Sequence, residues 1–440
     1  MPYSNYTLGD VSNQLGMLLD DSAEVYWTQT EKYYAIWEAL RVWGALTNYW
    51  RARGTFPWTA AASSPWTDLS VALPALRPRT VTLDQLTREI QFMCLEAANG
   101  ISGTGMSGQI SVSSILQALQ RARNRFALDT RLPLEALSVS YPVPPPDGLV
   151  SFNQSSVFVH RASWQDDQSS AWFNLWRDDA FGVDRAGLAQ QTTIPEVFSE
   201  SQLSPLQLQL SPIPAAAGEL ELIIVPSEVI DLTDPLSTFN LPDEWIHAVK
   251  YAALADLFSA ESQNTDPLRA NYAESRYQQA LAFARDARSI HRMTIAGAPV
   301  PLDSVASLDA GSPYWRNQTG AVSVCGVMYD FIAFSPGVSD GSYTITAEVS
   351  QSAPIPLSAG VAMPIGDEEL ANILDYATHV LTFKCGGREF SQTFAGYNSF
   401  LQAVAGRKGI NAAKVRYLEP AWGQPQREWA TRPDRMEVGR

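Results

Sequence analysis

Apolar residues recur every three or four positions along several stretches of the chain and every second position along others. The clearest helical stretch starts at Leu241-Pro242-Asp243-Glu244-Trp245. Pro242 stops what precedes it, and Asp243 and Glu244 place negative charge at the electropositive end of a helix. Trp245, Val249, Ala252, Ala253 and Leu257 then mark one buried face. A second helical run covers about residues 268–289, with Tyr272, Tyr277, Leu281 and Ala284 on its face. Upstream, apolar alternation over 206–210 and 220–225 flanks a turn at 212–218, which predicts a β-hairpin feeding a helical hairpin.

Toward the N-terminus, Val11, Leu15, Leu18 and Leu19 predict a short helix that ends at residues 20–22. Thr28 and Glu31 have capping-box spacing. Tyr33, Ile36, Trp37, Leu40, Trp43, Thr47 and Trp50 follow as an aromatic stripe, with Gly54 as the stop. Such a stripe reads first as core. Residues 56–79 read as loop with one strand. A helix over 82–98 buries Leu86, Ile90, Met93 and Cys94, and its partner over 112–129 buries Ile115, Leu119, Ala122 and Phe126. Arg121, Arg123 and Arg125 form a solvated or interface face.

From 132 to 226 the period shortens to strands, with a proline turn at 142–148. Residues 296–312 read as a linker. Beyond it, 313–440 reads as a separate α+β region: strands over 322–334 and 341–349, helices over 367–384 and 391–405, then an irregular tail. The fold class is therefore α+β: a helical bundle over 81–295 (helices 82–98, 112–129 and 243–289) carrying an inserted antiparallel β domain. An N-terminal helical region over 1–80 precedes it.

Composition narrows the function. The 440 residues suffice for two to four domains, or one core with large insertions. A net charge of -15 argues against a broad grip on nucleic-acid phosphates, whose footprint is basic. Cys94, Cys325 and Cys385 lie too far apart in sequence to suggest a disulfide framework or a metal knuckle. The first residues lack a positive region followed by an apolar core, so no secretory signal is expected, and no run of about 18 apolar residues suggests a membrane span.

Candidate chemistry is sparse. The Gly-rich connection over 99–108 lacks the Gly-Lys-Ser/Thr of a phosphate loop and sits between helices. His160, His247, His291 and His379 have no His or Cys at metal-ligand spacing. Asp166-Asp167 and Asp178-Asp179 are acidic pairs in loops, where solvation is the plain reading. Catalytic, metal and cofactor residues are accordingly not expected. The 13 tryptophans stand out instead, since they suit both cores and subunit interfaces.

Taken in order, several motifs resemble the head-to-tail adaptor (connector) proteins of tailed bacteriophages. They are Trp27-Thr28-Gln29-Thr30-Glu31 leading to Glu38-Ala39-Leu40-Arg41, the helix pair at Thr82-Leu83-Asp84-Gln85-Leu86 and Leu116-Gln117-Ala118-Leu119, the insertion with Leu206-Gln207-Leu208, and Leu241-Pro242-Asp243-Glu244-Trp245 with Tyr251-Ala252-Ala253-Leu254. Ile373-Leu374-Asp375-Tyr376 with Gln426-Arg427-Glu428-Trp429 is similar to an extension found in larger phage structural proteins. The resemblance implies a ring, typically of twelve copies, beneath the portal, offering a platform to the next neck or tail protein. Tail fibres are a further candidate partner. Viral DNA would pass through the lumen without sequence-specific binding, past a wall carrying part of the negative charge. The implied location is the head–tail junction of the virion, after assembly in the host cytoplasm, with no membrane and no cofactor. Candidate packing or interface residues are Trp27, Trp37, Trp43, Trp50, Trp245, Tyr251, Trp422, Arg427, Trp429 and Arg435. Alternative readings are another virion component (neck stopper, tail-tube or baseplate protein), a partner- or glycan-binding β module, and an enzyme with a dispersed carboxylate site.

Overall fold

The computed structural model describes residues 6–59, 65–95, 100–102, 110–151, 156–168, 171–179, 191–200, 207–227, 230–260, 266–285, 290–312, 314–337 and 341–418. Its helices are α1 (Leu8–Leu18), α2 (Gln29–Thr47), α3 (Leu69–Ala72), α4 (Leu83–Met93), α5 (Val112–Thr130), α6 (Ile246–Ser259), α7 (Pro267–Arg285), α8 (Val305–Gly311), α9 (Asp367–Thr382), α10 (Gly387–Gln392) and α11 (Phe394–Leu418). The strands are β1 (Arg51–Thr59), β2 (Thr67–Asp68), β3 (Glu135–Tyr141), β4 (Leu149–Ser151), β5 (Ser156–Asp166), β6 (Trp172–Arg177), β7 (Thr192–Thr193), β8 (Val197–Glu200), β9 (Gln207–Ser211), β10 (Ile213–Pro214) and β11 (Gly218–Pro226). They continue with β12 (Ile290–Ile295), β13 (Ala298–Val300), β14 (Leu302–Ser304), β15 (Val324–Met328), β16 (Phe331–Ser335) and β17 (Ser342–Ser350). The fold is α+β.

Local chemistry explains the helix starts. Thr28 Oγ1 accepts from the Glu31 amide, and the Glu31 carboxylate accepts from the Thr28 amide at 2.8 Å, so two orphan donors are satisfied reciprocally. Thr7 with Asp10 does the same for α1, and Thr82 caps α4 through the Gln85 amide. Helix α6 is buried on every side, as a central helix must be when its residues are apolar all round.

Three apolar cores form. The largest joins α1, α2, α4, α5, α6, α7 and α9 with the first turns of α11, from Leu8 to Val404. A second lies inside a seven-stranded sheet of order β3-β11-β5-β6-β8-β9-β4, which occupies the expected insertion. A third lies between two four-stranded sheets, β1-β17-β12-β13 and β14-β15-β16-β2, and draws on residues from Phe56 to Val349.

Several expectations are corrected. The strands expected to form a hairpin, β9 and β11, do not pair. β11 is an apolar central strand with β3 on one edge and β5 on the other, while β9 pairs with β4 and β8. The inserted sheet is antiparallel except where β6 meets β8 in parallel. Residues 296–312, expected to be a linker, end β12's hairpin with β13 and continue through β14 into α8. Residues 290–295, placed at the close of the helical bundle, are strand β12. The stretch 51–59 is a full strand running antiparallel to β17 across the whole chain. Its Gly54 and Pro57 disguise it in sequence, and it sits at a sheet edge where proline is tolerated. Residues 322–334 make two strands, β15 and β16, turning at Tyr329-Asp330.

Candidate functional site

The aromatic residues singled out from sequence sit mostly in the packing of the chain itself. Trp27 donates its Nε1 proton to Leu381 O at 3.2 Å, Trp37 to Pro356 O at 2.9 Å and Trp50 to Pro364 O at 3.1 Å. Trp245 donates to the Tyr329 hydroxyl at 3.2 Å. Trp43 and Tyr251 are fully buried, and among the described residues Trp43 Nε1 and the Tyr251 hydroxyl have no hydrogen-bond partner. The stripe on α2 is thus the seam between the first 50 residues and residues 353–404. Trp422, Arg427, Trp429 and Arg435 lie outside the described residues.

Along that seam runs a buried polar chain that sequence reasoning missed. The Lys250 ammonium, on α6, bonds Glu38 of α2 and, at 3.0 Å, Glu89 of α4. Burial alone would raise the Glu38 carboxyl, but Lys250 and Arg276 outweigh it and hold the group below its usual range. Burial would likewise depress Lys250, and the two carboxylates outweigh it and raise it. The Tyr376 hydroxyl of α9 donates to Glu38 at 2.9 Å and accepts from Arg276 of α7. Arg276 also donates to the Tyr272 hydroxyl at 3.0 Å.

His379 completes the chain. Thr393 gives its hydroxyl proton to Phe390 O at 2.8 Å, so it accepts from His379 Nδ1, also at 2.8 Å. His379 Nε2 then accepts from the Tyr272 hydroxyl at 2.6 Å, and the imidazole is neutral. Its ring stacks on Tyr397 and Phe390 at centroid distances of 4.6 and 4.7 Å. Burial and then the Arg276 charge push its pKa down to about 3. His247, whose Nδ1 lies 2.8 Å from Glu244 O, is pushed by burial to about 4.

Two further clusters fasten the body. Arg77 donates to Glu244 at 2.6 Å and lies 3.4 Å from Asp330, while Ser352 donates to the other Glu244 oxygen at 2.6 Å. Asp243 accepts from the Thr80 and Val81 amides at 2.7 and 3.1 Å. The two acids expected to neutralise a helix end therefore also clamp distant chain. On the seven-stranded sheet, Arg161 grips both oxygens of Asp309 at 3.0 and 3.2 Å, and Trp315 and Asn174 donate to the same carboxylate at 2.7 Å. Glu221 accepts from Trp66 at 2.6 Å and pairs with Arg316 at 2.8 Å.

These clusters tie distant stretches of the chain together. The cleft between α2, α4, α6 and α9 has a volume of about 30 Å³, room for one or two waters. Among the described residues no group of three or more His, Cys, Asp or Glu could hold a metal ion, and no helix is long and apolar enough to cross a membrane. One signal for the missed chain was present: a lone lysine within a helix apolar on every side must find a partner.

The family model for the SU10 adaptor protein matches residues 81–300, half of the chain. The chain belongs to the SU10 adaptor protein family. This is a family of phage head–tail adaptors, so the protein is a phage structural protein and a virion component. No curated protein matches it. The SU10 adaptor match begins at Val81, beside the cap of α4, and ends at Val300, the last residue of β13. It therefore contains Lys250, Arg276, Arg161 and Glu221, while Glu38, Tyr376, Asp309 and Arg316, to which they bond, lie outside it.

Proposed function

We propose that copies of this chain close a ring, twelve by family resemblance, that joins the portal to the next neck or tail protein and prolongs the DNA channel. The observation that carries this reading is the adaptor match over half of the chain. Two structural features support it. The flanks are tied to the matched segment by buried charge, which gives a stiff body suited to a load-bearing collar. The aromatic stripe is used inside the subunit, which leaves other exposed residues and the Trp- and Arg-bearing tail to meet neighbours. The net charge of -15 suits a lumen wall that repels phosphate. Tail fibres remain a candidate partner for the outer surface.

Negative-stain electron microscopy of the purified protein, alone and mixed with a portal ring, tests the proposal. Closed rings, or an added layer at the narrow end of the portal, are the expected result. Monodisperse monomers that do not bind portal would overturn it.

A further inference from the structure

Arg41, on α2, is 7% exposed, and its Nε is sealed from solvent without a hydrogen-bond partner. Among the described residues its side chain forms no ion pair, no hydrogen bond and no ring contact. The other buried arginines differ. Arg77 donates to Glu244, Arg123 to Pro226 O, Arg161 to Asp309 and Arg276 to the Tyr376 hydroxyl. Glu38, one turn away on α2, is taken by Lys250. A buried guanidinium without a counter-charge is costly, so Arg41 calls for a partner that the described residues do not supply.

Its neighbours on α2 set its place. Trp37, Arg41 and Gly44 share one stripe of the helix, spaced four and three residues apart. Trp37 donates to Pro356 O at 2.9 Å, and Gly44 lies against Ala353. Residues 353–356 thus run along the stripe past Arg41. Helical side chains lean toward the helix N-terminus, which carries the guanidinium toward Pro356 and Leu357. Only its Nε is sealed, and the two Nη nitrogens keep contact with solvent.

The surface at that point is apolar. No charged residue occurs between Glu348 and Asp367. This strap exposes Leu357, at 78%, and Val361. Tyr6 is exposed beside it, its carbonyl accepting from the Met363 amide at 2.9 Å. An uncharged rim around one arginine is the composition of an interface core.

We propose that Arg41 receives a carboxylate from the next copy of this chain in the ring, with the strap around Leu357 as the dry rim of that contact. The planar fork of a guanidinium fits a carboxylate. Copies of this chain carry the complementary charge in excess, with 46 acidic against 31 basic residues. A cation on one face that meets an anion on a different face of its neighbour is the heterologous contact that closes rings. The inference rests on the ring reading and adds a contact that links the subunits.

Arg41→Met tests it in the full chain. An unpaired buried charge weakens the lone subunit, and the same charge strengthens the contact once paired. The variant should therefore raise the urea midpoint of the dilute monomer and lower the yield of rings on portal about tenfold. A lower midpoint, or a variant that does not fold, shows that Arg41 serves the subunit's own packing and overturns the site. An unchanged ring yield overturns it as well. A second measurement leaves Arg41 intact: a photo-cross-linking amino acid replaces Leu357, and light and heavy-isotope copies are mixed before assembly on portal. Cross-links that join light to heavy copies are expected. Rings whose cross-links join only like isotopes, or reach only portal, overturn the site and leave the ring. A protein that stays monomeric by native mass spectrometry, alone and with portal, overturns both readings.

Discussion

Lys384 and Glu31 are 353 residues apart in the chain and 2.7 Å apart in the fold. Both are buried, and they fasten the end of α9 to the first turn of α2. Lys384→Met leaves the buried Glu31 carboxylate without its cation and is expected to cost about 3 kcal/mol. Adding Glu31→Gln, which is neutral and keeps an acceptor for the Thr28 amide, should recover part of that loss. Urea midpoints of the two single variants and the double variant measure it.

The matched segment should not fold alone. Cut out as 81–300, it would expose the α6 face that meets α2 and strand Lys250 with one carboxylate and Arg276 without Tyr376. Amide spectra of the fragment are expected to show collapsed dispersion, while those of the full chain stay dispersed.

Acid should loosen the helical core before it loosens the carboxylates. His247 and His379 are held neutral, with folded pKa values of about 4 and about 3 against an unfolded value near 6.5. Their folded pKa values are depressed, so the unfolded chain binds more protons as pH falls. Stability is full above pH 6.5 and declines below it, by about 2 kcal/mol per histidine at pH 5. Urea midpoints at pH 7.5 and 5.0 report the loss, and His379→Gln should flatten its share.

Tryptophans separate by burial. Trp245→Ala empties a site 1% exposed and is expected to cost about 3–5 kcal/mol. Trp176, 56% exposed, should tolerate alanine within about 0.5 kcal/mol. Chemical denaturation of both variants decides whether Trp245 acts as packing.

Arg161→Leu removes the cation that holds Asp309 and should cost about 3 kcal/mol. Amide exchange should rise locally in residues 305–317, where Asp309 and Trp315 lose their anchor.

Short-range signals made much of the helical scaffold legible. The Thr28–Glu31 box and the Thr82 cap are local hydrogen-bond chemistry, so their spacing in sequence was enough to place α2 and α4. The period of 367–384 likewise located α9 to within two residues. Long-range pairing was not legible. β1 alternates only weakly and owes its strand to β17, some 290 residues away. β9 and β11 each carry strand-like alternation, but nothing within them says which strand each will border. Most of the buried charges were opaque for a related reason: Glu38 and Arg276 look like ordinary helix-surface residues until the helices around them are assembled, and only Lys250, inside an apolar helix, announced that it needs a partner.

Because α9 and α11 complete a core begun by α1 and α2, the first segment made must wait for the last. About 100 residues separate Val300 from Val404, so the ribosome needs roughly 5–20 s after finishing the adaptor-type segment to supply the missing wall. A nascent chain that lacks α9 and α11 therefore leaves that core open until translation is nearly over.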